Sequence, residues 1–185
     1  MTLTKWTSDP VHTQITFKVK HLMITTVTGH FKQFDINVET EGDDFSKAKK
    51  IELTADVNSI DTGNEQRNTH LRSSDFFDVE KKSKLNFIGT KYEVNGDDGK
   101  LHGNLTIGAV TKPITLDVEF GGLVKDPWGG LRAGFELKGK LSRKEFGLIY
   151  NATLEAGGVV VGDEVKISAE VELVKEAQVV EGNEA

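Results

Sequence analysis

Along most of the chain, large apolar residues recur at every second position with polar residues between them, as in strands that bury one face. Ile15, Phe17 and Val19 alternate with Thr16, Lys18 and Lys20, and a second strand follows His21-Leu22 toward Gly29. Phe34, Ile36 and Val38 alternate with Asp35, Asn37 and Glu39. Phe31 has the wrong parity for that set, and a bulge near Gly29 would correct it. After the Glu41-Gly-Asp-Asp44 turn, Ile51, Leu53, Ala55 and Val57 resume the alternation. Leu85 and Phe87 begin a strand that ends at Asn95-Gly-Asp-Asp-Gly99, a strong hairpin signal, and Leu101, Gly103, Leu105 and Ile107 answer it. Val110-Thr-Lys-Pro113 reads as a turn, Ile114 to Phe120 as a strand, and Asp126-Pro-Trp-Gly-Gly130 as a loop. Leu131 to Leu141 is the longest regular run, broken by Arg143-Lys-Glu-Phe-Gly147. Two final strands, around Leu154 to Val161 and Val165 to Leu173, are expected to join through a tight Gly162-Asp163 turn.

Eight or more antiparallel strands with successive hairpin signals fit an up-and-down barrel or a two-sheet sandwich. Runs of roughly ten residues favour the barrel, because closure removes long exposed edges.

Residues 59–78 depart from the alternation. Thr62 followed by Glu65 reads as a helix N-cap with a capping box, opening a short helix over about Gly63 to Arg72. That helix would place Arg67, His70 and Leu71 on one face, and Phe76 and Phe77 follow as two rings in need of an apolar surface. The segment is expected to act as a lid over one end of the barrel.

A chain of 185 residues is read as one domain over 1–175 with an acidic tail over 176–185. The absence of cysteine removes disulfides and thiolate chemistry. A net charge of −6, with Lys and Arg dispersed along the chain, argues against nucleic-acid binding and against a basic membrane-binding patch. No apolar run is long enough to span a bilayer, so stable membrane insertion is not expected. Without an apolar leader after Met1 the expected location is cytoplasmic, or periplasmic or secreted if a signal peptide has been removed.

An eight-stranded barrel is either filled by its own side chains or holds one small ligand. The inward face carries large rings but also Ala55, Gly103, Ala133, Gly139 and Ala169, which fits a hollow tube or an interdigitated solid core. The charged lid favours the hollow tube. Its expected lining is Phe17, Val19, Phe34, Ile36, Phe87 and Leu105 from earlier strands, and Phe135, Leu137 and Phe146 from later segments. Leu71, Phe76 and Phe77 complete it from the lid. Such a lining suits a mostly hydrocarbon guest. At ~0.8 kcal/mol per buried CH₂, about a dozen methylenes contribute about 10 kcal/mol gross, much of it offset by association costs. Arg67 and His70, with Arg143 as a third, are candidate donors to a carboxylate, amide or pyrophosphate head group. The competing roles are an Arg67 ion pair with Asp61 or Asp75 that fixes the lid, and a strand-end ion pair for Arg143. The histidines show no HxH or HExxH spacing and no GxSxG elbow occurs, so no catalytic residue, metal or cofactor is expected.

Several stretches together resemble the YceI-like lipid- and polyisoprenoid-binding proteins. They are Trp6-x-x-Asp9-x-x-His12-Thr-x-Ile-x-Phe17-x-Val-x-His21-Leu22, Gly29-x-Phe31, Ser59-Ile-x-Thr62 and Arg67-Asn-x-His-Leu71 with Ser74-Asp-Phe-Phe77. Gly103-x-Leu-Thr106, Val110-Thr-x-Pro113, Arg143-x-x-Phe-Gly147 and Asp163-x-Val165-x-Ile167 complete the series in the family's order. Thr13 stands where serine is usual, Asn68 where aspartate is common, and Lys81-Lys-Ser-Lys84 lacks a frequent proline. The resemblance implies an all-β, lipocalin-like, up-and-down antiparallel barrel of about eight strands with one short helix as its lid. It also implies an amphiphilic isoprenoid or acyl lipid as partner, frequent homodimers and no catalytic activity. Two other readings stand beside this carrier: a lipid-acting enzyme with His12 or His70 as acid–base, and a solid barrel serving as an interaction scaffold.

Overall fold

The computed structural model describes residues 2–152 and 160–176. Its strands are β1 (Leu3–Ser8), β2 (Gln14–His21), β3 (Thr25–Phe31), β4 (Phe34–Glu41), β5 (Asp44–Asp56) and β6 (Ile60–Asp61). They continue as β7 (Lys84–Asn95), β8 (Asp98–Ile107), β9 (Val110–Lys125), β10 (Leu131–Ser142) and β11 (Val161–Lys175). One helix, α1 (Glu65–Arg72), lies between β6 and β7.

The register shows how these strands make an eight-stranded ring. One edge of β11 pairs antiparallel with β1 through residues 173–175 and with β2 through 161–170. β1 and β2 are therefore one long strand interrupted by the outward loop 9–13. The Thr13 hydroxyl donates to the Glu172 carbonyl at 3.3 Å and accepts from the Glu172 N–H at 3.2 Å, standing in for the missing ladder. β1 pairs onward with β4 and β2 with β3, so β3 and β4 likewise form one strand broken at Lys32-Gln33. With β5, β7, β8, β9, β10 and β11 these give a closed antiparallel barrel of eight strands. The expected all-β, up-and-down architecture is the one observed.

The hairpin turns fall where the sequence placed them at 41–44 and 95–98, with Gly42 and Gly96 at φ of 56° and 66°. Four local expectations are corrected. The pairing of β2 with β3 runs unbroken through Gly29, so the parity change comes from the break at Lys32-Gln33 rather than from a bulge. Gly29 is needed for space instead, since a Cβ there would overlap the ring of Phe17. Pro113 sits inside β9 opposite Asn104, in a stretch that β10 does not pair, and the turn is at Gly108-Ala109. Gly162-Asp163 belongs to β11 and marks a register irregularity, not a turn. Thr62 does not cap α1: Asn64 does, accepting the Arg67 N–H at 2.9 Å. The strand expected over Leu154 to Val161 falls mostly, and the tail almost wholly, outside the described residues.

A cluster of rings closes the end of the barrel away from the lid. Phe45 packs against Trp6, Phe135 and Phe120 with centroid separations of 4.7, 4.9 and 6.0 Å. Small inward residues are largely met by large ones: Phe87 covers Gly103 and Leu116 covers Gly139. Glycines therefore do not hollow this barrel. Space remains elsewhere.

Candidate functional site

The lid is fixed by polar contacts that its sequence builds locally. Gly63, at φ 81°, turns the chain out of β6, and the helix starts two residues later at Glu65. Asn68, only 3% exposed, accepts both the N–H and the hydroxyl of Thr62, at 2.8 and 2.6 Å, and donates to Asp61 at 3.2 Å. Asp61 also accepts the Gly63 N–H and pairs with Lys32. The Gly63 N–H leads these contacts in lowering its carboxyl to about 2. Asn68 is thus a neutral buried anchor. Arg67 donates from Nε and Nη2 to the hydroxyl and carbonyl of Thr62, not to Asp61 or Asp75. His70 bonds Asp75 at 2.7 Å through Nε2 and stacks edge-on against Phe76 and Tyr150.

Beneath the lid lies a cavity of about 440 Å³. A second of about 150 Å³ lies deeper, above the floor rings. Ile15, Leu53, Leu105 and Ile167 line both, so these four side chains stand where the two chambers adjoin. The deeper chamber is walled by hydrocarbon and aromatic side chains, with Glu52 and Tyr92 as its polar exceptions. Polar residues of the outer chamber, namely Lys20, His21, Arg67, His70, Arg143 and Tyr150, accompany an otherwise apolar wall.

Of the residues expected to line the tube, Phe17, Val19, Leu71, Phe76 and Phe77 line the outer chamber. Ile36, Phe87, Phe135 and Leu137 line the deeper one, and Leu105 lines both. Phe34 and Phe146 line neither. Phe34 packs between the two core clusters, and Phe146 is buried in the short 3₁₀ turn Arg143–Phe146. The three head-group candidates all border the outer chamber, but in different states. Arg143 is 3% exposed and forms no ion pair among the described residues. Its guanidinium donates to the carbonyls of Gly162, Leu148, Tyr150 and Val161 at 2.6–3.2 Å. Burial lowers the affinity of this group for its proton, opposed by the nearby Asp163. A cation held by neutral carbonyls beside an apolar chamber is suited to receive an anionic or strongly dipolar group. Tyr150 was missed by sequence reasoning because it follows no strand periodicity; its one signal is an aromatic soon after the Phe146-Gly147 break.

The outer wall carries a separate charged set. Asp9, His12 and Glu172 place one ligand atom each within 4.8 Å of the others, a spacing that suits a metal. Arg132, however, donates to Asp9 and Glu172 at 2.7 and 2.8 Å and to Asp126 at 3.0 Å. The guanidinium already supplies the positive charge, and the set is an ion network that clamps loops 9–13 and 126–130 together. It lines neither chamber.

The fold recurs among known proteins. The YceI-like domain matches residues 6–173. The chain belongs to the YceI-like family. A UPF0312 protein of Staphylococcus epidermidis is 43% identical over 171 residues, covering 92% of this chain and 97% of that protein. The crystal structure of the Campylobacter jejuni YCEI protein matches with a TM-score of 0.72 at 34% identity, over 87% of this chain and 91% of that one. A polyisoprenoid binding domain from Saccharophagus degradans matches at TM-score 0.69 and 14% identity, over 92% and 98% of the two chains. At that identity the likeness is one of fold. No helix among the described residues of this YceI-like chain is long and apolar enough to cross a membrane.

Proposed function

We propose that the barrel is a non-enzymatic carrier that shelters the long hydrocarbon chain of a polyisoprenoid or fatty-acid-like amphiphile. The observation that carries this reading is the pair of apolar chambers stacked along the barrel on either side of Ile15, Leu53, Leu105 and Ile167. A compact polar metabolite would leave its hydrogen-bonding groups unpaired in such a bore, whereas an alkyl or prenyl chain loses nothing by entering it. Arg143, His70 and the lid residue Arg67 surround the outer end, so the head group faces them while the tail extends toward the floor rings. The polyisoprenoid binding domain with the same fold is consistent with this class of guest. The bore also speaks against the solid scaffold, for which no free interior is needed.

Native mass spectrometry and solvent extraction of the purified protein test the proposal. The expected result is a co-purifying amphiphile with a long apolar chain, and displacement of a fluorescent fatty acid by it. Lipid-free protein that takes up neither a fluorescent fatty acid nor a prenyl alcohol refutes the carrier.

A further inference from the structure

The turn between β2 and β3 has a backbone that its residues do not favour. The His21 carbonyl accepts the Ile24 N–H at 3.1 Å, and the central residues Leu22 and Met23 have φ of 51° and 60°. Two-residue turns of this form usually use Asn-Gly, because bulky side chains are strained in the left-handed region. Folding gains little from these side chains: Met23 is 58% exposed and Ile24 is 78% exposed. A strained, water-exposed apolar tip calls for a functional reason.

Its place in the fold suggests one. The Leu22 N–H donates to the Val160 carbonyl at 2.8 Å, and the side chain of Asn151 bonds both the N–H and the carbonyl of Val161. The turn and the segment 148–151 are thereby tied into one rim at the end where the outer chamber opens beneath the lid. Ile149, 68% exposed, stands on that segment next to Tyr150, which borders the chamber.

The wall behind this rim is basic, although the whole chain carries a net charge of −6. Lys140 lies directly opposite Lys166, and Lys166 directly opposite Lys18, on three adjacent strands. Lys20 follows two residues nearer the rim, and all four lysines are exposed. Across β3 their neighbours are the neutral Thr26 and Thr28, while Glu164 and Glu170 flank the row along β11. Like charges directly opposite one another weaken a sheet, so this ladder is not there for the barrel's own stability. Lysines dispersed in the sequence are gathered into one patch by the strand register, which the linear distribution of charge conceals.

We propose that this rim docks reversibly on an anionic lipid bilayer, with Met23, Ile24 and Ile149 dipping below the headgroups and Lys18, Lys20, Lys140 and Lys166 lying against them. Three aliphatic side chains and a basic row suit a peripheral, salt-sensitive contact rather than insertion. A bilayer fits better than a protein partner because the apolar tip adjoins the chamber opening, so a hydrocarbon chain can pass between acyl layer and bore without crossing water. The purpose of the contact rests on the carrier reading; the contact itself does not.

Flotation of the cargo-free protein with vesicles of phosphatidylcholine containing about one-third phosphatidylglycerol tests the surface. Wild-type protein is expected to float with these vesicles in low salt and to be released in high salt. The pair Met23→Ser and Ile24→Ser is expected to lower partitioning at least about tenfold. Lys18→Ser with Lys166→Ser is expected to lower it about 30-fold, at a factor of about five per lysine. Circular dichroism and thermal melting establish that both variants fold. Failure of wild type to float, or equal flotation of the Met23/Ile24 variant, overturns the proposal. Concentration-dependent self-association of wild type that the variant loses, without vesicle binding, also overturns it and makes the rim a contact between copies. Uptake of a fluorescent fatty acid in vesicle-free solution separates the two ideas. Wild type that floats but takes up neither the fatty acid nor a prenyl alcohol supports the docking surface while overturning the carrier.

Discussion

At the scale of single residues, two charged groups are stabilised in opposite ways. Arg143 satisfies four backbone carbonyls from a buried position, and Arg143→Met leaves those carbonyls facing hydrocarbon. We expect a loss of about 3–5 kcal/mol in chemical denaturation, larger than that of any exposed ion pair in the molecule. His12 is exposed, and its contribution appears only in the pH dependence. The His12 ring, then Arg132, donate to Asp9 and hold its carboxyl well below the usual range; the same Asp9 contact, with Glu172, raises His12. The contribution of Asp9 is full above its ordinary value of 3.8 and vanishes as pH falls through the lowered one. That of His12 is full below its ordinary value of 6.5 and fades as pH rises through the raised one. Urea midpoints measured from pH 6.5 upward should therefore drift down in wild type and lie flat in His12→Gln, while both proteins still lose stability in acid. The roles of these residues were only partly legible in the sequence. Arg143 could be placed near a strand end from its motif, but burial decides whether an arginine pairs with a carboxylate or with carbonyls, and burial is not local information. His12 and Asp9 stand three residues apart, yet Glu172 and Arg132 reach them only through the pairing of β11 and β10.

At the scale of elements, the strands were readable wherever one face is buried and the other wet, since the two-residue period then survives along the whole run. Phe87, Phe135 and Leu137 were placed on the inner face by parity alone, and all three border the deeper chamber. The period fails where a strand is interrupted without ending. β3 and β4 read as separate strands, and β1 was not read as a strand, because nothing in the sequence says that the halves share one partner edge. The lid cap was misread for a related reason. Thr62 and Asn64 are both good caps, and the choice falls to Asn64 because the Asn68 amide holds Thr62. Asn68→Ala removes that hold and leaves buried donors of Thr62 unpaired. Its expected cost is about 2 kcal/mol, with faster hydrogen exchange confined to α1 and its flanks while the barrel strands remain protected.

At the scale of the whole molecule, the free interior lies in two adjoining chambers and is not made by glycines. Leu105 is 4% exposed to solvent and borders both chambers, so Leu105→Trp should plug the passage without disturbing the surface. Uptake of a fluorescent long-chain fatty acid is expected to fall more than tenfold, with a thermal midpoint no lower than that of wild type because empty volume is filled. The shared edge of β11 has a further consequence, one of timing. β1 and β2 pair early with β4 and β3 on one side, but their other edge finds its partner only in β11, roughly 150 residues later. During synthesis the sheet from β1 to β10 waits with two bare edges, one on β1 and β2 and one on β10, exposed to neighbours and chaperones alike, and the cylinder cannot shut until β11 has been made.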